Sequence, residues 1–144
     1  MKKDNETQQI PALGCAIALI SQRLISQLGE ALADAGLNIT AAEYIVMRAL
    51  YTANGAQQCE IAAKVGKDKA SVCRTVNSLR AKGYLSTTPV SHKCRTVHLT
   101  PAALSIKDQI ANVAGERHSA LADILTPDEF KSFSSIVNKI VKHI

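Results

Sequence analysis

A mainly α-helical fold carrying one small β-hairpin is what this sequence predicts, and three observations predict it. Apolar residues recur at steps of three and four through most of the chain, the repeat of a helix with one buried face. Between residues 84 and 99 that period gives way to short alternating runs rich in Thr, Val and Leu, the pattern of two paired strands. Helix-start and helix-stop residues fall at the joints: Thr40 with Glu43, Asp68, Thr100 with Pro101 and Thr126 with Glu129 open helices, and Gly36, Gly66 and Gly83 close them.

Pro11 suits the first turn of a long helix whose stripe is Leu13, Ile17, Ile20, Leu24, Leu28 and Leu32, ending at Gly36. The Thr40 box opens a second helix through Ile45, Val46, Ala49 and Leu50, stopped by Asn54 and Gly55. A short helix over 57–65 buries Ile61, Ala62 and Val65. Another over 69–82 follows the Gly66 turn, with Val72, Val76 and Leu79 as its stripe. Residues 84–90 and 94–99 form the hairpin, its tip at Ser91, His92 and Lys93, with Val97 and Leu99 facing the core. One helix is expected from Thr100 to Ile124, with Gly115 its weak point, and a last helix carries Phe130, Phe133, Val137, Ile140 and Ile144.

The outer face of the 69–82 helix is the informative one. Opposite Val72 lie Ala70, Ser71, Arg74, Asn77 and Ser78, with Lys67 projecting from the turn and Lys69 from the helix start. A solvated helix face ordinarily mixes Glu with Lys, yet no acid follows Asp68 here. Small residues permit close approach to a surface, and Arg, Asn and Ser donate to phosphates and base edges. Charge points the same way. Residues 56–100 hold eight Lys or Arg against two Asp or Glu, whereas the flanking thirds are near balance, so the whole net charge of +5 sits around this helix pair. A helix-turn-helix followed by a basic hairpin is a winged helix-turn-helix, with His92, Lys93 and Arg95 the wing's reach toward a polyanion. The expected partner is double-stranded DNA. A winged helix gripping an acidic protein, or a sequence-blind architectural DNA binder, would share the basic surface.

The expected organisation is a single domain over 1–144. Residues 37–100 are the winged-helix DNA-binding lobe, and 11–36 and 101–144 are N- and C-terminal dimerisation helices. The flanking helices hold more than half of the Leu and Ile and need each other or a second copy to cover their stripes. One recognition helix also reads few base pairs, while a two-fold dimer reads half-sites one turn, ~34 Å, apart. The alternative is that these helices complete a monomeric core.

Other chemistry finds little support. No nucleophile–base pair, Gly-rich phosphate loop or carboxylate dyad stands out, so no enzyme and no cofactor are expected. The four histidines (His92, His98, His118, His143) share no i, i+3 or i+4 spacing, and no metal site is expected. With no run of about 18 apolar residues and no leader pattern, the chain is read as cytoplasmic and not membrane-bound. Cys15, Cys59, Cys73 and Cys94 lack CxxC spacing and read as free thiols, Cys59 and Cys94 without mutual spacing. Apolar neighbours make Cys15 a buried, dull thiol, with a redox sensor as the other reading.

The order of long helix, capped helix, helix-turn-helix, hairpin and two C-terminal helices resembles the MarR family of bacterial regulators. Leu37 to Thr40, Ile61-Ala62, Ser71 to Val76, Leu79 to Leu85 and Val97 to Thr100 carry the resemblance. It implies a dimer that occupies operator DNA, often as a repressor, and often releases it when a small molecule or an oxidant arrives. It also implies an effector cleft between the dimer helices and the DNA-binding lobe, for which Tyr44 and Tyr51 are candidates. Hydroperoxide-sensing members place a reactive cysteine near the position of Cys15, supported by tyrosines that this helix lacks. At the wing tip the family's Asp-Arg-Arg is replaced by Ser91, His92 and Lys93.

Overall fold

The computed structural model describes residues 12–92 and 94–144; the expected Pro11 start and Lys93 at the wing tip lie outside the described residues. In chain order the elements are α1 (Leu13–Asp34), α2 (Ala41–Thr52), α3 (Gln58–Val65), α4 (Lys69–Ala81), β1 (Leu85–Ser91), β2 (Cys94–Leu99), α5 (Pro101–Ser105), α6 (Lys107–Ala122) and α7 (Pro127–His143).

Local chemistry sets the ends of these helices. Thr40 accepts the Glu43 amide while the Glu43 carboxylate accepts the Thr40 amide, and Thr126 with Glu129 repeats that box at α7. Asp68 caps α4 by accepting the Ser71 amide at 2.7 Å. At Gly83 (φ +84°) the chain turns left-handed after α4, and the Tyr84 amide reaches back to the Leu79 carbonyl at 2.9 Å. Only a residue without Cβ enters that turn cheaply, so α4 stops there and the hairpin begins.

One expected helix is two. The chain breaks between α5 and α6 at Ile106 and runs unbroken through Gly115. At the break the Ser105 hydroxyl donates to the Ala102 carbonyl at 2.7 Å, offering the backbone a local alternative to the next helical turn. A single glycine, by contrast, weakens a helix by only about 1 kcal/mol and does not stop it.

β1 and β2 pair antiparallel, Leu85 opposite Leu99 and Thr87 opposite Val97, with the register shifting between Pro89 and Ser91. On its other side β2 meets the segment before α3: Gln57 bridges Thr96, and the Val97 amide donates to the Ala56 carbonyl at 2.9 Å. β1 is therefore the edge strand, where Pro89 withholds no ladder hydrogen bond from a neighbour.

The buried core is the lobe's own. Met47 and Leu50 of α2, Ile61 of α3, Val72, Val76 and Leu79 of α4 and Val97 of β2 are sealed together. Leu32 from the end of α1, Ala103 of α5 and Ile110 and Val113 of α6 join them. The first half of α1 and all of α7 stay outside it, and α7 buries no residue in the single chain.

One buried acid ties α2 to α4 and its C-terminal end. The Glu43 side chain is 4% exposed and takes the Lys82 ammonium at 2.7 Å, and the Ser78 hydroxyl donates to its other oxygen at 3.3 Å. Burial raises this carboxyl, but the Lys82 and Thr40 hydrogen bonds outweigh it and hold it below its ordinary 4.5. A carboxyl depressed on folding stabilises the fold fully above its unfolded value, and loses that contribution as pH falls through the folded one. Lys82→Met removes the cation and leaves a buried, uncompensated carboxylate. The expected cost in urea melts at pH 7 is about 2 kcal/mol, below the roughly 3–5 typical of a fully buried pair because Lys82 still touches water. In that variant the Thr40 bonds remain but the largest lowering partner is gone, so the carboxyl rises relative to wild type and the deficit shrinks as pH falls toward 4.5. A loss independent of pH would assign Lys82 a packing role only.

Candidate nucleic-acid interface

α4 is packed by Val72, Val76 and Leu79 and presents its other side to solvent. Lys67, Lys69, Ala70, Arg74 and Asn77 are exposed, and Ser71 is half-buried with its amide held by Asp68. Arg74 has no partner among the described residues, so its guanidinium is available. Ser78 is exposed too, but its hydroxyl is committed to Glu43 behind the helix, so it orients α4 where outward donation was expected.

Arg95 departs from a free wing arginine. Its Nε donates to the Gln58 side-chain oxygen at 2.6 Å and its Nη2 to the Asn77 side-chain oxygen at 2.8 Å, with the Cys73 sulfur at 3.8 Å. One guanidinium therefore joins β2, the first turn of α3 and the outer face of α4. His92 is exposed at the wing tip. Between the wing and the helix pair lies an open cleft of about 470 Å³, to which Lys69, Arg80, His92, Arg95, Cys59 and Cys94 contribute. Gln58 and Arg80 carry part of this surface yet were missed from the sequence, where nothing singles out Gln58. Arg80 belonged to the basic run, and that charge was its one legible signal.

The cysteines fall differently from expectation. Cys15 is exposed on α1 of the single chain, not buried. Cys59 and Cys94, expected to be unrelated, lie with sulfurs 3.2 Å apart, because the 57–96 bridge brings residue 59 opposite residue 94. Tyr51 donates its hydroxyl to the Ala103 carbonyl at 2.6 Å, under the Lys107 ammonium, and burial, aided by nearby Tyr84, pushes that phenol up to about 12. It is thereby committed to joining α2 and α5. Tyr44 packs half-buried against the core, and its hydroxyl has no partner among the described residues. No group of three or more His, Cys, Asp and Glu could hold a metal ion among the described residues, and none of their helices is long and apolar enough to cross a membrane.

Residues 36–93, the helix-turn-helix and the hairpin up to its tip, match the MarR family. The chain's winged helix is similar to that of MarR regulators. A mutant MarR from E. coli, solved in complex with operator DNA, is 26% identical, with 92% of this chain and 95% of that one covered at a TM-score of 0.80. A MarR transcriptional regulator from Methanosarcina mazei Go1 shares the fold at 17% identity and a TM-score of 0.81, covering 91% of this chain and 88% of its own. BpsR from Bordetella bronchiseptica, whose DNA binding is regulated by 6-hydroxynicotinic acid, does so at 19% and 0.79, covering 90% and 93%. No curated protein matches the sequence. Within this winged-helix lobe the outer face of α4 is open, whereas Arg95 of the wing is turned inward onto it.

Proposed function

We propose that the chain is a sequence-specific, DNA-binding transcriptional regulator acting in the cytoplasm as a homodimer, a repressor relieved by a small molecule or an oxidant, and not an enzyme. The observation that carries this reading is the outer face of α4, where Lys67, Lys69 and Arg74 are exposed beside small residues with no acid among them. Such a face suits close approach to a groove. The operator complex of the 26% identical E. coli MarR supports DNA as the partner. The family resemblance supports repression and its relief.

The dimer reading rests on uncovered apolar surface. Leu13, Ile17, Ile20 and Leu24 of α1 and Phe133, Ile136, Val137 and Ile140 of α7 are all exposed in the single chain. A contiguous apolar stripe on two helices of a monomer marks an interface. A second copy related by a two-fold axis would cover both ends and set two recognition helices ~34 Å apart.

Arg74→Ala tests the reading at its centre. A bidentate arginine–guanine contact is worth about 1–3 kcal/mol of discrimination. The variant is therefore expected to lose about tenfold or more on a selected operator, by fluorescence anisotropy, while losing little on random duplex. Equal losses on both would reassign Arg74 to the phosphate backbone.

A further inference from the structure

The cysteine pair between wing and helix-turn-helix is left unused by DNA recognition. The Cys59 and Cys94 sulfurs are 3.2 Å apart, and the Gln57 side-chain oxygen accepts from the Cys94 thiol at 3.1 Å. Their meeting is a matter of register. β2 runs antiparallel to the segment before α3, with Gln57 facing Thr96, so two residues forward from Gln57 and two back from Thr96 bring Cys59 to Cys94. A disulfide needs its sulfurs at about 2.05 Å, which asks for a closure of about 1 Å between one thiol on the first turn of a helix and another at the start of a strand. Cys59 is exposed, and both cysteines line the open cleft beside Lys69, Arg80 and Arg95, where an oxidant in solution can reach them. Its hydrogen bond to Cys94 holds the Cys59 thiol above its ordinary range.

We propose that Cys59 and Cys94 are a reversible dithiol–disulfide site that staples the wing to the helix-turn-helix and lowers DNA affinity when an organic hydroperoxide oxidises it. One thiolate attacks the peroxide, the O–O bond breaks, and the alcohol leaves with a proton, giving a sulfenic acid. The second thiol attacks that sulfur, the S–S bond forms, and water leaves. Two thiols and one hydroperoxide thus become one disulfide, one alcohol and one water. The ring so closed spans 35 residues and contains the whole recognition helix and β1. It fixes β2 where Arg95, next to Cys94, already holds Gln58 and Asn77, so the guanidinium and the Asn77 carboxamide are withheld from DNA. That consequence rests on the DNA-binding function proposed above; the cross-link itself does not.

The experiment treats the reduced full-length protein with cumene hydroperoxide. The products are mapped by mass spectrometry after proteolysis, and affinity for a selected duplex is followed by anisotropy. Expected are the loss of two hydrogens in a Cys59–Cys94 peptide, reversal by dithiothreitol, and affinity about tenfold weaker, the scale of one lost specific contact set. Cys59→Ser and Cys94→Ser should each lose both the link and the affinity change, while Cys15→Ser and Cys73→Ser keep them. Absence of the 59–94 link, oxidation confined to Cys15 or Cys73, or a link formed with affinity unchanged would each overturn the proposal. Should the reduced protein bind no duplex at all, the regulator reading fails on its own, and peptide mapping still decides whether the thiols pair.

Discussion

Ending the chain before Thr126 is expected to abolish the dimer and leave monomer or aggregate in sedimentation velocity. The removed helix contributes nothing to the buried core of the single chain, yet carries Phe133, Ile136, Val137 and Ile140 with 38–55% of their surface open. Burying one such side chain fully is worth about 1.5–3 kcal/mol, so two copies of a four-residue stripe hold enough surface to drive association. Their loss would also bare the matching residues of α1. The gentler Val137→Glu places one charge in the same stripe and should dissociate the dimer at micromolar concentration. Thermal melts of the lobe should change little, because its core is built from α2 to α6 and the end of α1. A stable dimer after either change would put the interface elsewhere.

Raising salt from about 50 to 200 mM is expected to weaken DNA binding roughly a thousandfold. Lys67, Lys69 and Arg80 are exposed on the helix pair and its cleft. If three cations per subunit meet phosphates, a dimer displaces about six counterions, and the slope of log affinity against log salt is about −5. A slope near zero would remove the electrostatic basis of the interface. A slope near −2 or −3 would indicate one engaged lobe per duplex.

Much of this fold was legible because its elements are marked by short-range chemistry. The Thr40 and Thr126 boxes, the Asp68 cap and the Gly83 turn need only neighbouring residues, and each helix or strand starts or stops within a residue or two of where those marks stand. The break at Ile106 was not legible. It coincides with a Ser105 hydroxyl bond that periodicity does not encode, while Gly115, a conspicuous letter, costs too little to act. Within the site, Arg74 and the lysines could be placed from helical geometry alone, since exposure follows from the buried stripe. Arg95, Ser78 and the Cys59–Cys94 pair could not. Their partners lie 18 to 37 residues away and meet only once α4 has packed on α2 and the hairpin has docked on α3 and α4. Tyr51 shows the same limit, because its hydroxyl partner Ala103 sits 52 residues on.

Selection of binding sites from a pool of random duplex DNA by the full-length, reduced protein addresses the central claim most directly. A two-fold pair of α4 helices predicts enrichment of an inverted repeat with half-site centres about one helical turn, ~34 Å, apart, and loss of that consensus in Arg74→Ala. Recovery of unbiased sequences, or of a single half-site with no symmetric mate, would contradict it.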